Sequence, residues 1–118
     1  MATYSRTLLS GSTNGRQIPV VAVATPGTLI HTAVAGTAAY DEVYLWAANV
    51  TAAPATLTIE WGGVGAPADH LVNTYSLPAN SGRTLLCSGE VLQNGLVIRA
   101  FSGTANAINI GGFCSRIV

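Results

Sequence analysis

Strict alternation marks Thr56-Leu57-Thr58-Ile59-Glu60-Trp61, where Leu57, Ile59 and Trp61 fall on one face and Thr56, Thr58 and Glu60 on the other. A period of two belongs to a strand with one buried face. After Gly95, Leu96, Ile98 and Ala100 face together, and Ile108 and Ile110 alternate with Ala107 and Asn109. The run Val43-Tyr44-Leu45-Trp46-Ala47-Ala48 is apolar on both faces, which suits a central strand or one covered by a neighbouring subunit. Strands are therefore expected over 18–25, 28–34, 42–50, 55–61, 71–76, 83–87, 96–101 and 107–113. Between them stand residues that turns need, such as Pro26-Gly27, Pro78-Ala79-Asn80-Ser81-Gly82 and Asn94-Gly95. No stretch carries helical spacing with caps. The pattern predicts an all-β fold, a single antiparallel two-sheet sandwich or jelly roll. Its core should include Leu57, Ile59, Leu96, Ile98, Ile108 and Ile110.

The first seventeen residues read differently. They are polar, rich in Ser, Thr and Gly, and hold Leu8 and Leu9 as their one strongly apolar pair. They predict an extended amino-terminal arm over 1–17, with the sandwich domain over 18–118. Free in water, Leu8 and Leu9 would cost solubility. Against a neighbouring subunit each would contribute about 1.5–3 kcal/mol if fully buried. Arg6 and Arg16 could then grip carboxylates of that neighbour in bidentate fashion. Tyr4, Arg6, Leu8, Leu9 and Arg16 are thus the expected interface residues. The arm should run over a neighbour and not over its own sandwich, and its deletion should leave a folded domain.

Composition sharpens the expectation of an assembly. Charged residues make up 8% of the 118-residue chain, against about 25% in soluble domains. Five arginines balance five acids, there is no lysine, and the net charge is zero. A freely diffusing monomer usually carries more charge than that. The balance excludes a nucleic-acid binder and a polybasic membrane binder, and no apolar run has membrane-spanning length. The amino terminus lacks the apolar segment of a secretory signal, so synthesis in a cytoplasm is expected. In that compartment Cys87 and Cys114 are expected as buried free thiols.

Candidate chemistry is sparse. Gly11-Ser12-Thr13-Asn14-Gly15 lacks the spacing of a nucleophile elbow, and a chain without lysine cannot build a phosphate loop. Asp69 and His70 are adjacent, so on a strand they point apart and cannot share an ion. His31, in an apolar strand, suits a satisfied histidine or an interface donor. Asn49-Val50-Thr51 matches the N-glycosylation pattern by chance. Trp46, Trp61, Tyr4, Tyr40, Tyr44 and Tyr75 suit packing better than a sugar platform. No catalytic residue, metal or cofactor is expected, and the chain reads as a non-enzyme.

Several stretches resemble small structural proteins of tailed-bacteriophage virions. They include Pro26-Gly27-Thr28-Leu29-Ile30-His31-Thr32-Ala33-Val34-Ala35-Gly36, Asp41-Glu42-Val43-Tyr44-Leu45-Trp46-Ala47-Ala48-Asn49 and Val91-Leu92-Gln93-Asn94-Gly95-Leu96-Val97-Ile98-Arg99-Ala100. The resemblance covers most of the chain from Pro26 onward, with a similar arm segment from Leu9 to Arg16. It implies a β-sandwich that cements or decorates the outer surface of the capsid. The implied partners are the major capsid protein and further copies of the chain, as a homotrimer. The alternative it implies is a tail, collar or fibre-associated module, with host-glycan binding.

Overall fold

A computed structural model describes residues 3–118, and every element in it is a strand. They are β1 (Tyr4–Leu8), β2 (Ile18–Pro19), β3 (Thr28–Thr32), β4 (Tyr40–Asn49), β5 (Ala55–Trp61), β6 (His70–Leu77), β7 (Thr84–Leu92), β8 (Val97–Ser102) and β9 (Ile108–Ile117). One sheet runs β1-β9-β4-β7, with β2 also on β9, and the other runs β3-β8-β5-β6. All pairings are antiparallel, so the chain is the two-sheet sandwich that its alternation implies.

The doubly apolar run becomes β4, a central strand between β9 and β7. Asp41, Val43, Leu45, Ala47 and Asn49 point inward, and Glu42, Tyr44, Trp46 and Ala48 outward. Val43, Leu45, Ile108 and Ile110 of this sheet meet Ile30, Leu57, Ile59 and Ile98 of the other in one apolar core. Of the six expected core residues, Leu96 alone departs, at 44% exposure. It directly follows a turn in which Asn94 and Gly95 both take positive φ. That turn sets Leu96 on the rim, over Gly62 and beside Tyr40, Val91 and Leu92.

The expected strand over 18–25 shrinks to two residues. Pro19 offers no N–H to a ladder, and the chain leaves the sheet there to cross the outer face of the other one. Thr28 Oγ1 accepts from the amides of Val21 and Ala22, and Ser102 N–H donates to Ala22 O. Thr58 and Glu60, polar residues on the face expected to meet solvent, are both buried, Glu60 under that crossing and Thr58 beside the irregular part of β6. The Glu60 carboxylate accepts from the Thr25 hydroxyl and the Gly27 amide, and Thr58 Oγ1 accepts from Thr74 N–H.

The arm needs correction. Its first described residues, 3–8, pair with β9 of the same sandwich, from Tyr4 opposite Ile117 to Leu8 opposite Phe113. Leu9 is 1% exposed and belongs to the core, while its neighbour Leu8 is 53% exposed. Two adjacent leucines cannot share a face of an extended chain, so the pair splits between core and surface. Ser10 then bonds His31 and Thr32, and Gly11 N–H donates to Ile30 O, tying this segment to the second sheet. Leu9→Ala is expected to cost about 2–5 kcal/mol in urea unfolding, and Leu8→Ala less than about 0.5 kcal/mol. Equal costs would contradict the split.

Candidate interaction surface

Thr3 and Val118 exchange both backbone hydrogen bonds, at 2.7 and 2.9 Å. Antiparallel ladders alternate, so Ser5 and Thr7 also spend their amides and carbonyls on β9. Tyr4, Arg6 and Leu8 therefore turn theirs toward the open edge of the sheet. Their side chains lie on its outer face, and Tyr4 is 66% exposed. Of the five expected interface residues, these three are brought together. Leu9 is buried beneath them, and Arg16 is exposed in the following loop, its N–H bonded to Thr13 O.

An aromatic row continues from β1 across this face. Tyr44 stacks on Phe113 with ring centroids 4.8 Å apart, and Trp46 meets Phe113 edge-on at 6.5 Å. The Arg6 guanidinium lies 4.6 Å from the Phe113 centroid, and that of Arg83 lies 4.4 Å from the Trp46 ring. β9 runs between β1 and β4, so Phe113 is held between Arg6 and Tyr44 and keeps no open ring face for a sugar. Among the described residues, the only carboxylate within 4.0 Å of an arginine is Asp41, which Arg116 holds. Arg6 and Arg83 are thus fixed on aromatic rings with their donors unspent on any acid of the chain.

Beneath β1 lies a buried polar cluster. The Arg116 guanidinium donates to both Asp41 oxygens, at 2.8 and 3.0 Å, and His31 Nε2 lies 2.8 Å from Asp41 Oδ2. Ser10 N–H donates to His31 Nδ1 at 3.0 Å, which fixes that nitrogen as the acceptor and places the ring proton on Nε2, toward Asp41. Burial pushes the Asp41 carboxyl up, but the hydrogen bonds from Arg116 and His31 and the charge of Arg116 outweigh it and leave its pKa below the ordinary value.

Ser10, His31 and Asp41 have the residue types of a charge relay, and Ser10 Oγ is 3.3 Å from Nδ1. The lone pair that a general base would use is already taken by the Ser10 amide. The same tautomer argues against a metal: His31, Asp41 and Cys114 lie within 4.8 Å of one another, yet Nε2 carries a proton and the carboxylate is held by Arg116. Burial, with the charge of Asp41 next, pushes the Cys114 thiol up to about 11, so it is protonated at neutral pH. Burial also raises Cys87, whose thiol bonds Val43 O, and both cysteines are free and buried. The cluster holds structure together.

Other sequence features resolve in the same sense. Asn49 is fully buried, its Nδ2 donating to Ala53 O and Leu77 O, so in the folded chain it cannot accept a glycan. Asp69 turns into its own loop to accept from Gly65 N–H, while the His70 ring packs edge-on against Phe101. Sequence reasoning missed Ser10, Asp41 and Arg116, whose proximity depends on pairings distant along the chain, and the Arg83–Trp46 stack. The outward parity of Tyr44 and Trp46 is the one signal that pointed to the aromatic row. No family model, no curated protein and no solved structure matches the chain.

Proposed function

We propose that this chain is a structural component of a bacteriophage virion, a cement or decoration protein on the outer surface of the head. One observation carries the reading: side chains that a monomer would hide stand exposed on two of the three edge strands of the five-stranded sheet, β1 and β7. Leu85 and Val91 on β7 are 65% and 54% exposed, matching Tyr4 and Leu8 on β1. With ten charges on the whole chain, little else keeps such a surface dispersed. The resemblance to virion proteins supports the same reading.

In this role the copies, as trimers, bind the assembled shell of major capsid protein more tightly than its free subunits. Stabilisation then follows from that difference in affinity by mass action. The bound surface is the outer face and edge of the β1 sheet, and not a free arm. Light scattering tests the self-association, and co-sedimentation with heads produced without the chain tests the partner. The expected results are an oligomer and saturable binding to heads. A monomer at high concentration that stays in the supernatant would overturn the proposal.

A further inference from the structure

Among the described residues the sandwich has five edge strands, and four are blunted. β2 ends in Pro19 after two residues, and the register of β3 against β8 slips between Leu29 and His31. β6 slips twice against β5 and holds Thr74 at φ 51°. β7 also slips twice: Leu85, Ser88 and Val91 oppose Trp46, Tyr44 and Glu42, three residues for every two on β4. Such bulges are a common protection against strand addition. β1 has none and keeps register from Tyr4 to Leu8.

We infer that the open edge of β1 accepts an extended strand of a different protein, one that carries a carboxylate opposite Arg6. The outward N–H and C=O groups of Tyr4, Arg6 and Leu8 supply the ladder. A second copy of β1 centred on the same edge would set Arg6 against Arg6, a like-charge pair directly opposite across strands, which is destabilising. A strand with an acid at its centre removes that conflict. The Arg6 guanidinium, which lies back over Phe113 of β9 with no acid of the described residues within 4.0 Å, has only to swing toward the edge to meet it. Apolar residues two places to either side of the acid cover Tyr4 and Leu8. A nucleic-acid strand is the less suited occupant, because Phe113 is closed on both faces and the net charge is zero. The inference rests on the cement reading only for the identity of the partner.

The test is a titration of the full chain with acetyl-Thr-Val-Thr-Glu-Thr-Val-Thr-amide, followed by amide NMR. Saturable shifts are expected at Tyr4, Arg6 and Leu8, with affinity about fivefold above that of the same peptide carrying Lys at its centre. Arg6→Glu, at an exposed position, should keep the fold and reverse the preference. Silence at those amides, binding indifferent to the central charge, the same shifts from oligothymidylate, or self-pairing through these amides would each overturn the inference. The peptide is read without any particle, so its failure leaves the head-binding experiment standing. Conversely, Arg6→Glu binding heads at full strength would overturn this inference alone.

Discussion

Gly112→Ala is expected to cost more than about 4 kcal/mol, or to leave no folded protein. Gly112 sits in β9 opposite Leu45 at φ 153°, beside the Tyr44–Phe113 stack. A Cβ there would lie 1.9 Å from the Tyr44 carbonyl oxygen and 3.2 Å from Leu45 Cα. Both are backbone atoms of the central strand, so no rotamer change relieves the overlap, and β9 and β4 would have to part. Gly36 is the control. It also has positive φ, at 79°, but a Cβ there meets nothing within 4 Å. Gly36→Ala should therefore show only the backbone cost of about 1–2 kcal/mol. Urea unfolding of the pair checks the claim, and similar midpoints would contradict it.

Asp41→Asn is expected to cost about 3–5 kcal/mol, nearer the lower figure because Arg116 is 30% exposed. Asp41 is fully buried and accepts from His31, from Arg116 and from the Val34 amide. An asparagine keeps the shape but turns an NH₂ toward groups that only donate. The pH dependence follows from the lowered Asp41 pKa, with its sign fixed. The unfolded state takes up the proton first as pH falls, at about 3.9. Stabilisation is thus fully present above that value and is lost as pH falls through the lower folded value. Asp41→Asn should flatten the acid limb of the stability curve. A variant that keeps the full acid dependence would place the effect on other carboxylates.

Local pattern made most of the sandwich legible, because a strand with one buried face shows its period directly. Residues 55–61 carry that alternation and became β5 with the same bounds. Thr84–Leu92 did not show it, since two register slips space its outward residues by three. The strand expected over 83–87 therefore stopped short of Leu92. The amino-terminal segment misled for another reason. Polar composition describes β1 correctly, as a strand that contributes backbone more than side chains. What composition could not show was that Leu9 would insert into the core and that Ser10 would bond His31, twenty-one positions away. Arg116 and Asp41 are seventy-five positions apart and meet because they are register partners on β9 and β4. Of the five residues expected at an interface, Tyr4, Arg6 and Leu8 share an exposed face, while Leu9 is in the core, and the contact of Arg6 with Phe113 needed the sheet order.

The proposed cement role is tested most directly by electron cryomicroscopy of bacteriophage particles produced in cells that make this chain. On that proposal a sandwich is expected on the outer surface of the head, across joints between major capsid subunits. The face bearing Arg6, Phe113 and Tyr44 should be turned toward the shell, with a strand of another protein along the β1 edge. Density in the tail, collar or fibres would contradict the cement assignment, and a virion without the chain would contradict a structural role altogether.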